Sequence, residues 1–164
     1  MNFYAIHNGA DAVYLGGKRF SARSYAANFN DEEMVKAIKY AHLYGVKIYV
    51  TVNTIIFDDE MDDVIKYIGF LHENNVDAVI MQDLGAIKRV RETYPNLEVH
   101  ASTQMHNHNS YGIKLLESLG IKRVVMAREM SINEIKYHNG KRSFCIWCNM
   151  CMLFWLLPFQ QYEY

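Results

Sequence analysis

Charge is nearly balanced in this chain: 17 basic and 18 acidic side chains leave a formal net charge of -1 over 164 residues. Without a basic excess there is no electrostatic footprint for non-specific binding to a nucleic-acid backbone. The opening stretch from Met1 to His7 has neither a basic leader nor an apolar run, so no export signal is expected and the cytoplasm is the expected compartment. The apolar stretch 144–159 falls short of the ~20 residues a membrane-spanning helix needs and runs into Pro158, which predicts no membrane partner. Three cysteines, Cys145, Cys148 and Cys151, crowd into seven positions with no second ligand pair at zinc-site spacing, and no metal site is expected. No Gly-x-Gly-x-x-Gly turn follows any β-branched run, which removes the usual dinucleotide reading.

What is present is a repeat. A helix ends in Gly or Asn, residues suited to the left-handed conformation that closes it, and a β-branched run follows. The junctions at Gly9, Gly45, Asn75, Asn96 and Gly120 fit this pattern and predict strands near 11–16, 47–54, 77–82, 97–102 and 121–127. Amphipathic helices are predicted at Asp31–Tyr44, Asp59–Asn74, Leu84–Thr93, Asn109–Leu119 and Ser131–Tyr137. Asn30 with Glu33, and Ser131 with Glu134, stand in capping-box spacing. Alternating strands and helices imply parallel pairing through right-handed crossovers. Near-continuous apolar strands further predict a sheet covered on both faces. An open doubly wound sheet and a closed barrel both satisfy the pattern; the missing dinucleotide turn favours an α/β fold of the barrel type. A full barrel needs eight strands and about 250 residues, so the expectation is an incomplete parallel β/α (TIM-like) barrel of about five strands.

Functional groups in such folds sit where strands end and loops begin. The strand ends supply Gly16, Gly17 and Lys18; Asn53 and Thr54; Gln82 and Asp83; Ser102, Thr103 and Gln104; Arg128 and Glu129. From these, Glu129, Arg128 and Gln104 are the candidate catalytic residues. Gly16, Gly17, Asn53, Asp83, Ser102 and Thr103 are the candidate substrate-binding residues. Arg128 suits a carboxylate or phosphate, and Glu129 suits a general base if poorly solvated. Each has a plainer reading: Asp83 as a helix cap, Glu129 as a rim ion pair with Arg128 or Lys18, Gly16-Gly17 as a tight turn. Ser102 and Thr103 have no assignable nucleophile partner. His100, His106 and His108 lack a carboxylate or Cys at ligand spacing and read as core or solvated histidines.

The blocks Gly9-Ala-Asp-Ala-Val-Tyr-Leu-Gly-Gly with Phe20 and Arg23, Tyr49-Val-Thr-Val-Asn-Thr, His100-Ala-Ser-Thr-Gln and Arg123-Val-Val-Met-Ala-Arg-Glu resemble the collagenase-like peptidases of family U32 from about Phe3 to Lys136. The resemblance implies a barrel-like N-terminal domain that normally opens with one further strand before the first helix. It also implies hydrolysis of peptide bonds in a protein or peptide substrate. Several relatives are similar to factors that hydroxylate RNA bases or quinone rings and hold an iron–sulfur cluster on cysteines. The alternative is therefore an accessory factor for tRNA or rRNA base hydroxylation, with RNA as partner and the cluster in the intact protein.

The tail departs from this family. Where a signature of the type His-Gly-Ala-x-Cys-x-x-Tyr-Ser-Gly-x-Cys is expected, the chain reads Phe144-Cys-Ile-Trp-Cys-Asn-Met-Cys. Shifting the back-translated frame by one base gives Gly across Trp147/Cys148, Cys across Met150/Cys151 and Met152/Leu153, and Gly across Trp155/Leu156. A frame slip near Lys141-Arg142 is thus expected. It divides the chain into a partial barrel, 1–140, and an aberrant out-of-frame tail, 141–164. On this reading the visible cysteines carry no cofactor and the chain is an inactive fragment. Oligomeric state has no signal in the sequence.

Overall fold

The computed structural model describes residues 4–22, 28–131 and 133–134, and the backbone of 145–146. A short helix α1 (Tyr4–His7) leads into strand β1 (Ala12–Gly16). Then follow α2 (Asp31–Leu43), β2 (Lys47–Val52), α3 (Met61–Glu73), β3 (Ala78–Met81), α4 (Leu84–Thr93), β4 (Glu98–Ala101), α5 (Ser110–Ser118) and β5 (Arg123–Val125). Two residues, Cys145–Ile146, form β6 alongside β5. All five expected strands are present, and the sixth pair is additional. Most of the expected Ser131–Tyr137 helix, Arg23, and the tail apart from Cys145–Ile146 lie outside the described residues.

The predicted punctuation largely holds. Gly9, Gly45, Gly120 and Asn75 take positive φ after their helices, whereas Asn96 does not. The Asn30–Glu33 capping box is reciprocal: Glu33 N donates to Asn30 Oδ1 at 2.8 Å and Asn30 N to Glu33 Oε2 at 2.9 Å. Ser131 and Glu134 form the same pattern.

Every pairing is parallel, and the sheet order is consecutive from β1 to β6. Right-handed crossovers that always step in the same direction put all helices on one side of the sheet. A reversal of order, which would place helices on both sides, does not occur among the described strands. The arrangement is that of a singly wound β/α barrel wall.

On the helix side, Ile48, Val50, Val52, Val79, Met81, Val99, Ala101 and Val124 pack with Met34, Ile38, Val64, Ile68, Leu71, Ile87, Val90, Ile113 and Leu116 in one cluster. Each large aliphatic side chain buried there contributes roughly 1.5–3 kcal/mol relative to exposure. The opposite face is less uniformly apolar: Tyr49, Ala78 and Ile80 form a small separate cluster against Ala12. Tyr14 on β1 is exposed. Helices lie on one face only, yet Tyr49, Ala78, Ile80 and His100 on the other are buried too, so the centre of the sheet is covered on both faces as expected, while Tyr14 at its β1 edge is not.

Candidate functional site

In a parallel sheet, residues paired in register point to the same side. Tyr14, Tyr49, Ala78 and Glu98 form one row of the helix-free face. Gly16, Thr51, Ile80, His100 and Arg123 form the next. Polar groups within these rows bind one another. Arg123 Nη1 donates to the Tyr49 hydroxyl at 3.1 Å, and its guanidinium lies 5.5 Å from the Tyr49 ring centroid. The His100 ring meets Tyr49 edge-on at 4.8 Å, and Tyr14 meets it at 5.5 Å from the other side.

His100 is 1% exposed. Its Nε2 is 2.8 Å from Glu98 Oε1, so this nitrogen carries the ring proton and donates. Burial lowers the His100 pKa below the usual imidazole value; the Glu98 hydrogen bond and charge oppose this, and Arg123 and Lys47 add to it. The neutral imidazole is therefore favoured. Meanwhile His106 takes a left-handed backbone at the end of a 3-10 turn, and His108 Nδ1 approaches the His106 carbonyl at 2.8 Å. The three histidines serve separate local roles, and among the described residues no three His, Cys, Asp or Glu side chains gather as metal ligands.

One turn further along the strands, the carboxyl edge of the sheet carries a connected set of amides and hydroxyls. Asn53 Nδ2 donates to Gln104 Oε1 at 2.6 Å, and Asn53 Oδ1 accepts from Ala22 N at 3.2 Å. Gln82 Nε2 donates to the Asn53 carbonyl at 2.9 Å. Buried Ser102 donates to Gln104 Oε1 at 3.5 Å and accepts from Gln104 N at 3.3 Å. Thr51 Oγ1 lies 3.2 Å from both Ser21 Oγ and the Leu15 carbonyl. Among the described residues, Gln82 Oε1 and Gln104 Nε2 have no hydrogen-bond partner. The edge thus presents an unused acceptor oxygen on Gln82 and unused amide N–H donors, among them those of Gln104 Nε2, and none of these side chains is charged.

The predicted residues divide around this network. Asn53, Ser102 and Gln104 are brought together in it. Gly16 borders it, since a Cβ there would stand 2.8 Å from Asn28 Oδ1 and 2.9 Å from Ser21 Oγ. Gly17 is buried against the Tyr67 hydroxyl. That phenol is pushed up to about 12 by burial and by Asp31, with Arg19 above the ring opposing. Both glycines therefore follow the plainer reading, close packing at a strand-to-loop turn. Thr103 turns to the Met126 carbonyl at 3.1 Å. Asp83 caps α4, accepting from Ala86 N at 2.8 Å. Arg128 and Glu129 are exposed at the centre of a turn closed by Met130 N to Ala127 O. Poor solvation, the condition for Glu129 to act as a base, is not met there.

Sequence reasoning passed over Thr51, Tyr49 and Arg123. Two of them were within reach, because Tyr49 and Thr51 precede Asn53 by four and two residues and so share its face in a strand.

As chemistry, the edge is a set of neutral hydrogen-bonding groups. Ser102 is hydrogen-bonded to an amide rather than to a base, and no His, Lys or carboxylate contacts Thr103 among the described hydrogen bonds. Nucleophile activation requires such a partner.

A singly wound parallel β/α wall with a neutral polar edge at its strand C-termini is a barrel-type α/β domain. A family profile described as peptidase family U32 matches residues 2–146, and the chain belongs to that family. It is 41% identical over 132 residues to tRNA hydroxylation protein P1 of Bacillus subtilis, covering 80% of this chain and 31% of that protein. It is 40% identical to a 23S rRNA 5-hydroxycytidine synthase of Escherichia coli, covering 80% and 20%. An uncharacterized protease of Methanocaldococcus jannaschii is also 40% identical, covering 80% and 32%. The chain thus spans a third or less of the length of these relatives. The solved U32 peptidase Mk0906 has the same fold, with a TM-score of 0.69 at 13% identity over 87% of this chain and 62% of that one. No helix among the described residues is long and apolar enough to cross a membrane.

Proposed function

We propose that this chain is the barrel region of an RNA-base hydroxylation protein, and that its amide edge receives the target base. The supporting observation is the neutral set Thr51, Asn53, Gln82, Ser102 and Gln104 at the carboxyl ends of adjacent strands, with Gln82 Oε1 and Gln104 Nε2 free. Side-chain donors and an acceptor, both on residues bonded to Asn53, match the mixed donor and acceptor edges of a nucleobase. Two relatives bear names that concern hydroxylated RNA. The peptidase reading draws on the family description and on the relative named as a protease. It would require an activated nucleophile or water, and among the described residues neither Ser102 nor Thr103 is hydrogen-bonded to a basic side chain. The near-zero net charge is compatible with RNA, because base-edge contacts carry specificity without a large counterion term. An iron–sulfur cluster is implied by the resemblance for intact relatives, and the side chains of Cys145, Cys148 and Cys151 lie outside the described residues.

The test is nucleoside analysis. RNA from a strain deleted for this gene, digested and resolved by mass spectrometry, is expected to lack a hydroxylated nucleoside that the restored gene returns. An Asn53→Ala, Gln104→Ala double variant is expected not to return it. Unchanged nucleosides, combined with gelatin cleavage by the purified protein, would put the peptidase reading in its place.

A further inference from the structure

The loop leaving β2 carries two large apolar side chains with no place in the fold. Ile55 and Phe57 are each 68% exposed, while Ile56 between them is 8% exposed and belongs to the main core. Anchoring the middle residue of an extended stretch turns its neighbours outward. The loop is also fastened at its far end, where Phe57 N donates to Glu60 Oε2 at 3.0 Å and Glu60 N to the Phe57 carbonyl at 3.0 Å. Phe57 is therefore held in the open by a fixed backbone. Leu84, at the start of α4 on the neighbouring β3 loop, is a third exposed apolar residue at the same end of the sheet.

These residues follow the same strand ends that carry the amide edge. Gln82 bonds the carbonyl of Asn53, the residue that begins the loop, and Leu84 follows Gln82 by two. Phe57 stands four residues beyond Asn53, a reach of at most about 14 Å. The loop then continues into Asp58, Asp59 and Glu60. Their charge disfavours a phosphate there, whereas a neutral ring is unaffected. An exposed aromatic face, two exposed aliphatic side chains at the same end of the sheet, unused amide donors and an acceptor, and an acidic border suit a flat, uncharged, hydrogen-bonding ligand.

Building on the RNA reading above, we infer that Phe57 is the stacking platform for a single unpaired RNA base, with Ile55 and Leu84 beside it and Gln82 Oε1 and Gln104 Nε2 at its edge. Stacking of this kind is insensitive to base identity, so the amides rather than Phe57 set the preference among bases.

The experiment titrates the purified chain into a short single-stranded RNA bearing one 2-aminopurine, whose fluorescence is quenched on stacking. The unaltered chain is expected to bind and quench. Phe57→Ala should bind about 5- to 100-fold more weakly and lose the quench, Phe57→Tyr should retain both, and Leu43→Ala, exposed on α2, should change neither. Circular dichroism checks that each variant is folded. If the unaltered chain binds no RNA, the RNA reading falls and this inference with it. If Phe57→Ala binds and quenches like the unaltered chain, the platform is overturned while the RNA reading stands. If sedimentation shows that Phe57→Ala instead abolishes self-association, the exposed ring serves a copy-to-copy contact and the inference is likewise overturned.

Discussion

His100 shows how one buried titratable side chain couples the sheet to pH. Burial dominates its lowered pKa, so the folded chain takes up the proton less readily than the unfolded one. The stability this residue contributes is fully present above about pH 6.5, the unfolded imidazole value. It is lost as pH falls from there through the lower folded-state value. Urea unfolding midpoints at pH 8 and pH 5.5 should therefore differ, and His100→Phe should shrink that difference. An identical pH dependence in the variant would assign the effect elsewhere. The neighbouring Tyr49 and Arg123 were not foreseen as partners of His100. Their meeting depends on pairing across β2, β3, β4 and β5, and Arg123 bonds a hydroxyl 74 positions away. Asn53, Ser102 and Gln104 could be placed at strand ends from sequence, but nothing local says that their side chains bond one another.

Helix boundaries were the most legible elements, because a cap is a contact between residues three apart. Asn30 with Glu33 and Asp83 with Ala86 N are local bonds that the sequence spells out. The identity of Asp83 as cap or ligand can be separated experimentally. Asp83→Ala should destabilise the protein by about 1 kcal/mol, whereas Asp83→Asn, an equally good cap, should be nearly neutral in a chemical unfolding curve. A loss in Asp83→Asn as large as that in Asp83→Ala would show that the carboxylate charge does more than cap α4. Elements set by packing were less legible. The 3-10 turns Asp58–Glu60 and Thr103–Met105 interrupt the loops after β2 and β4 without a period of their own, and α3 starts at Met61 rather than at the expected Asp59.

Across the whole molecule the order of strands governs where stability is concentrated. β3 is paired on both sides and buried along its length, whereas β1 is partly exposed and β5 is short. Amide hydrogen exchange is expected to be slowest in β3 and in its partners β2 and β4, and faster in β1 and β5. Equal protection in β1 and β3 would contradict this gradient and indicate cover over β1 that the described residues do not provide.

The sequence by itself determined the alternation of helix and strand, the stops at Gly45, Asn75 and Gly120, the caps, and membership in a peptidase-type β/α family, since each rests on short spacings or on contiguous blocks of residues. Only the tertiary structure decided which side of the sheet the helices cover, and that Tyr49, His100 and Arg123 share the other. Strands that read as unbroken apolar runs carry little alternation to mark an inner face. Register between strands far apart in the chain is fixed by packing and backbone hydrogen bonds, which no local pattern encodes.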